Sequence, residues 1–438
     1  MTMLKKCWQC AAVAVLCVSL FLAGCGEKET ARSVEDPSTY ASETTLTLSS
    51  EYYYLEELDT GSVLLDQGST ERMFPASLTK MMTAIVALEQ IEDPSSVTIE
   101  ITRTTLKGLI EASANRAGYW YGDKPTALDL IYGVLLPSGA DCCRALAMYV
   151  SGSEEGFVEL MNQKAQQLAM LDTHFVNTTG LHDDNHYSTC RDLAKLLKYC
   201  MQNETFMEVI HTRKYVSTPV KTYPDGLSMD NYVLFYLDEY DPAWDTHFSI
   251  PGFIGGKGGY TIEARHCLAS LCDAGSLHLL LINAHAYKDP YYYPAAIEDA
   301  AVIYNYFGAH YAYEEPIIAG STVASIKVRN GDVTQVDAVA ADTVAGILPS
   351  DSNLHVYVDA PTVLNAPVTE GTVIGKVQVY AYDRLYAESD LYLNTSVEKT
   401  FAGSVRTLLE EKGLALALLA AVVVCLLVLT RASRRKRK

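Results

Sequence analysis

Hydrophobic periodicity changes character once along this chain, near Glu315, and that change limits the architectures open to it. Before it, strand-like alternation and helix-like spacing take turns: residues 52–65 predict a hairpin turning at Asp59-Thr60-Gly61, and residues 78–90 a buried helix. After it the helical pattern stops, and short alternating runs at 322–328, 355–358 and 373–382 lie between turn residues. The expected order is an α/β or α+β domain over 48–314, then a small all-β domain over 315–400. With 438 residues, 49% of them hydrophobic, the chain can bury a core for each.

The two ends carry a different signal. Lys5 and Lys6 precede an apolar run over 11–22, the charged and hydrophobic regions of an export signal over 1–25. The run closes on Leu22-Ala23-Gly24-Cys25, which resembles a bacterial lipobox and makes Cys25 the expected lipidation site. Residues 26–47, rich in Ser, Thr and Glu, read as a flexible tether. Near the other end, Val405, Leu408 and Leu409 at helical spacing predict a juxtamembrane helix over 401–413. The 17 uncharged residues of 414–430 are expected to form a transmembrane helix. The tail over 431–438 carries six bases, and the positive-inside rule keeps it cytoplasmic, with the body of the chain outside the cell membrane.

That body holds 26 bases against 53 acids, the wrong sign for a surface that tracks phosphates, so nucleic acid is excluded as a partner. Its six cysteines, Cys142, Cys143, Cys190, Cys200, Cys267 and Cys272, show no metal-binding spacing and are expected as buried free thiols. His182 and His186 with Asp183 and Asp184 lie in a loop before Thr189, whose spacing to Asp192 resembles a helix capping box; no metal and no cofactor is expected. Tyr291-Tyr292-Tyr293 between Pro290 and Pro294 reads as packing rather than as a sugar platform.

Chemistry enters with Phe74-Pro75-Ala76-Ser77-Leu78-Thr79-Lys80, which opens a predicted helix with Pro75 favourable at its start. Ser77 and Lys80, three residues apart, share a helix face. A serine hydroxyl attacks only when a base takes its proton, and a lysine kept neutral by burial or by a nearby cation can be that base. Taken alone, the pair reads as a helix cap and a solvated lysine rather than as a site.

With Asp59-Thr60-Gly61 upstream and the run from Arg72 to Ala84 around it, this phrase resembles the D-alanyl-D-alanine carboxypeptidases, the low-molecular-mass penicillin-binding proteins. Leu136-Pro137-Ser138-Gly139-Ala140-Asp141 resembles the second motif of that family, and Lys257-Gly258-Gly259-Tyr260-Thr261 the third. Asn177-Thr178-Thr179-Gly180-Leu181-His182, Tyr187-Ser188-Thr189 and Asp192 match another stretch typical of these enzymes. The resemblance covers about 52–313. It implies a serine β-lactamase/DD-peptidase-like domain, an antiparallel sheet flanked by helices, that removes the terminal D-Ala from peptidoglycan stem pentapeptides and binds β-lactams.

Carried over residue by residue, it implies that Ser77 attacks the carbonyl between two D-Ala residues, Lys80 accepts its proton, and Ser138 relays the proton to the leaving amine. Lys257 would attract the substrate carboxylate and hold down the Lys80 pKa. Gly258, Gly259 and Tyr260 would line the substrate, and the backbone N–H groups of Ser77 and Tyr260 would bind the oxyanion. Apart from the resemblance, Lys288 is a candidate for a further cation in the carboxylate pocket.

Three positions depart from the family pattern: Ala140 stands where Asn is usual, Gly258 where Thr is usual, and Arg265 where a small residue, commonly Gly, is expected. They motivate a second reading, a catalytically impaired pseudoenzyme that binds peptidoglycan or a cell-wall partner. A third, a β-lactamase, lacks the Glu-x-x-Leu-Asn run that would supply a deacylating base.

Overall fold

The structure, a computed structural model, describes residues 46–238, 248–289, 293–350, 354–382 and 384–435. The expected export signal, Cys25, nearly all of the tether, residues 290–292 and the last three residues of the basic tail lie outside them.

Strands β1 (Tyr52–Glu57) and β2 (Val63–Gln67) form the predicted hairpin, whose turn is held by the Glu57 carboxylate accepting from the Thr60 N–H and hydroxyl. Seven helices follow among the described residues before the next strand: α1 (Thr79–Gln90), α2 (Arg103–Leu106), α3 (Ala127–Leu135), α4 (Ala140–Ser151), α5 (Glu154–Gln167), α6 (Cys190–Cys200) and α7 (Glu204–His211). Strands β3 (Lys214–Val216) and β4 (Ser228–Asp230) make a small ribbon ahead of α8 (Tyr232–Asp238). Strands β5 (Phe253–Thr261), β6 (Arg265–Ala274) and β7 (Leu277–Ala286) then join the hairpin in a five-stranded antiparallel sheet of order β2-β1-β7-β6-β5, and α9 (Ala295–His310) packs on it.

The near-continuous apolar runs of β6 and β7 follow from burial on both faces. Leu268, Cys272, Leu279 and Leu281 enter the core shared with α9. Alternate residues Ala269, Leu271, Leu280 and Ile282 enter the larger core built on α1 and α3 to α7. The six body cysteines are free and buried.

The β-rich region starts directly after α9, four residues before the expected boundary. Strand β8 (Tyr311–Ile317) pairs with β11 (Val344–Pro349). A six-stranded sheet takes the order β12-β14-β15-β10-β9-β13, from β9 (Thr322–Arg329), β10 (Gln335–Ala340), β12 (Leu354–Asp359), β13 (Val363–Asn365), β14 (Val373–Ala381) and β15 (Arg384–Leu393). Its core is its own, around Ile326, Val336, Val377, Val379, Leu391 and Leu393.

Helix α10 (Phe401–Arg435) runs unbroken through the expected juxtamembrane and transmembrane segments. Among the described residues, however, no helix is long and apolar enough to cross a membrane. The uncharged run rises about 25 Å at about 1.5 Å per residue, short of a hydrocarbon core of about 30 Å.

Candidate active site

The nucleophile candidate sits on a turn that the fold forces. Pro75 leads into a 3-10 turn, Ala76–Leu78, that continues into α1. Ala76 has φ 45°, a left-handed conformation that costs a non-glycine residue about 1–3 kcal/mol. Gly180, itself at φ +77°, packs against that turn so closely that a Cβ there would lie 1.8 Å from the Ala76 carbonyl oxygen. Ser77 makes no helix cap. Lys80 Nζ instead donates to Ser77 Oγ at 2.8 Å and to the Thr179 carbonyl oxygen at 2.6 Å. Lys80 is only 3% exposed, which removes the solvated-lysine reading.

The loop carrying Thr179 is built for that contact. Asn177 Oδ1 accepts from the N–H groups of Thr179 (3.1 Å) and Gly180 (2.7 Å), and its Nδ2 donates to the Leu181 carbonyl at 2.9 Å. The Thr83 hydroxyl on α1 donates to the Thr178 carbonyl, and Glu154 on α5 accepts from the Thr178 N–H and hydroxyl. At Ala140 the side chain ends in a methyl, and the Thr179 carbonyl is a partner for Lys80 that the resemblance did not indicate.

Ser138 lies between α3 and α4 with φ 63°, and Lys257 Nζ donates to its Oγ at 3.0 Å and to the Gly258 carbonyl at 2.7 Å. Lys257 is 2% exposed, so it is no solvated hairpin lysine either. Strand β5 runs hard against the Ser77 turn: a Cβ at Gly259 would lie 2.8 Å from Ser77 N and 3.3 Å from Leu78 N. Ser77, Lys80, Ser138, Gly258, Gly259 and Tyr260 line one cavity of about 400 Å³, with Lys257 beneath it.

Two amines buried this close cannot both be charged cheaply. Burial holds the Lys80 amine below the ordinary lysine value. Lys257 is pushed well below it, by burial first and then by the Lys80 charge. Burial is the first cause of the depression at both amines, and the repulsion between them acts in the same direction.

Several residues that the sequence did not single out complete the site. The Asp141 carboxylate accepts from Ala117 N (2.8 Å) and Gly118 N (3.0 Å), and Ala140 N donates to the Asn115 carbonyl at 2.8 Å. These bonds fasten the loop that brings Ser113, Ala114 and Asn115 to the cavity wall. On the other side the Tyr232 ring crowds Gly258: a Cβ there would sit 3.3 Å from Tyr232 Cε1, so the ring would have to give by a few tenths of an ångström. Arg265 does occupy a glycine-type position, with φ 58°, and its guanidinium lies 4.6 Å over the Tyr287 ring.

Other expectations are settled away from the cleft. His186 is buried, its Nδ1 accepting from Val176 N–H at 3.2 Å while Nε2 meets the Thr79 hydroxyl at 2.7 Å. His182 packs edge-on against Phe74. Thr189 caps α6 as expected, but the Asp192 carboxylate turns to Asp172 N and the Thr173 hydroxyl, so the box is half formed. Lys288 pairs with Glu298 at 2.8 Å, which corrects the expectation of a cation in the carboxylate pocket. Tyr293 is a packing residue, edge-on to Phe248, while Tyr291 and Tyr292 lie outside the described residues.

The fold is that of the penicillin-binding DD-peptidases. Penicillin-binding protein 5 from Haemophilus influenzae superposes with a TM-score of 0.54 at 23% identity, over 81% of this chain and 99% of that one, a likeness of fold. A single-residue variant of a Streptomyces DD-transpeptidase gives a TM-score of 0.53 at 28% identity over 60% of this chain and 99% of its own. The D-alanyl-D-alanine carboxypeptidase DacF of Bacillus subtilis is 27% identical over 354 residues, 79% of this chain and 85% of that protein. Residues 38–285 match the D-alanyl-D-alanine carboxypeptidase family, and residues 311–399 match the C-terminal domain of penicillin-binding protein 5. The chain belongs to the D-alanyl-D-alanine carboxypeptidase family and is a serine carboxypeptidase.

Proposed function

We propose that the cleft shortens peptidoglycan stem pentapeptides through an acyl-enzyme on Ser77. As Ser77 Oγ bonds to the carbonyl carbon, neutral Lys80 takes its proton. The oxyanion forms against the backbone N–H groups of Ser77 and Tyr260. The C–N bond to the terminal D-Ala then breaks, and its nitrogen takes a proton delivered through Ser138 from the Lys80–Lys257 pair. Water attacks the ester, restores the Ser77 hydroxyl and releases the shortened peptide. The observation that carries this reading is the 2.8 Å contact between Ser77 Oγ and a buried amine held below its ordinary pKa.

β-Lactams acylate the same serine in this reading. Mass spectrometry after exposure to penicillin tests it: an adduct mapped to Ser77, absent from Ser77→Ala, with Ser77-dependent release of D-Ala from a pentapeptide, is expected. A folded protein giving neither adduct nor D-Ala overturns it.

The anchoring expectations belong to the same proposal. Export through residues 1–25, lipidation at Cys25 and a C-terminal membrane anchor would hold the catalytic domain outside the cell membrane, with the β-rich domain as a spacer. The uncharged run over 414–430 and the bases that follow it support the anchor. A span this short is accommodated by local thinning of the bilayer. Fractionation of cells expressing the chain with and without residues 401–438, each with Cys25 intact or as Cys25→Ala, tests it: membrane recovery is expected to survive the loss of either anchor and to be lost when both are removed.

A further inference from the structure

A second hollow, of about 610 Å³, is lined in part by the stretch of chain that goes on to wall the catalytic cavity. Leu106, Lys107, Gly108, Ile110 and Glu111 line the hollow, and Ser113 to Asn115, further along the same loop, line the cavity. The loop is a fixed ridge: Asp141 and Ala140 hold its far end, and the Arg144 guanidinium donates to the Lys107 carbonyl at its near end. Its lining is unusual for so acidic a chain. Trp120, Tyr121 and Ile110 remain 48%, 45% and 57% exposed. The lining carries two cations, Arg103 and Lys107, against the single acid Glu111; the Arg103 guanidinium lies 5.0 Å over the Tyr121 ring, and that of Arg116, outside the lining, lies 5.9 Å over Trp120.

We propose that this hollow is a saccharide subsite, which seats the glycan of the peptidoglycan strand whose stem peptide occupies the cleft. The inference rests on the carboxypeptidase reading of that cleft. Half-exposed aromatic rings offer flat apolar faces to sugar C–H groups while their polar edges stay wet. Arg103 and Lys107 suit the carboxylates that a stem peptide carries close to its sugar. The four stem residues between the scissile bond and the sugar reach about 13 Å when extended, enough to cross a ridge a few residues wide.

The test uses the full chain in detergent and two substrates, a sugar-free stem pentapeptide and the same pentapeptide on its N-acetylglucosaminyl-N-acetylmuramyl disaccharide. The native protein is expected to show the lower KM for the disaccharide substrate. Trp120→Ala with Tyr121→Ala is expected to raise that KM about five- to tenfold at unchanged kcat, leave the sugar-free peptide unaffected, and be largely rescued by Trp120→Phe with Tyr121→Phe. Calorimetric titration of the Ser77→Ala chain with a peptide-free tetrasaccharide is expected to show binding that the alanine substitutions remove. Equal effects on both substrates, or glycan binding indifferent to the two rings, would overturn the subsite. Failure of D-Ala release from both substrates would sink the catalytic reading alone, since the titration decides the hollow without it.

Discussion

Replacing Gly259 by Ala isolates the contact that brings β5 to the nucleophile. Gly259 does not need glycine for its own backbone angles, because its φ lies outside the left-handed region. What it lacks is room: a Cβ would sit 2.8 Å from Ser77 N, 3.2 Å from Ala76 Cβ and 3.3 Å from Leu78 N. Two of these neighbours are backbone atoms of a turn pinned by Gly180 and by α1, so the strand has to yield, and the Ser77 N contact has to open from 2.8 Å to beyond 3.0 Å, and to 3.4 Å for an ordinary contact. Oxyanion donors act at about 2.7–3.1 Å, and loss of one costs about 10²–10³ in rate. Overpacking costs about 1–3 kcal/mol, of which the reduced freedom of the unfolded chain returns about 0.4–1 kcal/mol. Gly259→Ala is therefore expected to fold, to melt a few degrees lower, and to acylate with a fluorescent penicillin at least 100-fold more slowly in stopped flow. Acylation within about threefold of native, in a protein of native melting temperature, would refute the reasoning, because β5 would then not abut the Ser77 amide.

Gly258→Thr is expected to slow acylation and lower the melting temperature because the Tyr232 ring crowds the position, and the double variant with Tyr232→Ala is expected to recover both; a single variant as good as native would show that the ring is not fixed there. With burial lowering the Lys80 amine, the penicillin acylation rate is expected to rise with pH as the neutral form grows and to level off below the ordinary 10.5, while Lys80→Arg stays inactive at every pH; a profile still climbing above 10.5 contradicts this. Stability follows the same sign, since the unfolded chain binds protons on Lys80 and Lys257 that the native one releases: the melting temperature gains from these two groups as pH rises from their lowered values towards 10.5, and a Lys257→Met variant should lack its share. His186, pushed down by burial to about 4 from 6.5, also binds its proton first in the unfolded chain, so stability should fall by about 3 kcal/mol between pH 6.5 and 4; equally steep acid unfolding of His186→Gln would exclude this residue as the cause.

How far the site was legible follows from the distances along the chain over which it is assembled. Ser77 and Lys80 share a helix turn, so their meeting could be read from spacing, as could the β1–β2 hairpin, α1 and the all-β character after Glu315. Ser138 and Lys257 were legible only through resemblance, because Pro-Ser-Gly and Lys-Gly-Gly carry no local signal of a cleft. Thr179 acts through a backbone carbonyl, which no side-chain pattern reports, and it meets Lys80 only because Asn177, Thr83 and Glu154 fold its loop onto α1 and α5. Tyr232 reads as one aromatic residue among 29 tyrosines until β5 places Gly258 beside it. The same non-locality governs Ala140 and Gly258. Along the sequence each is a deleted side chain and argues for a disabled cleft, whereas in the fold Lys80 retains the Thr179 carbonyl as a partner and Gly258 is crowded by Tyr232. A motif departure therefore weighs against activity only when the group it orphans finds no other partner, and Lys80 has one 2.6 Å away.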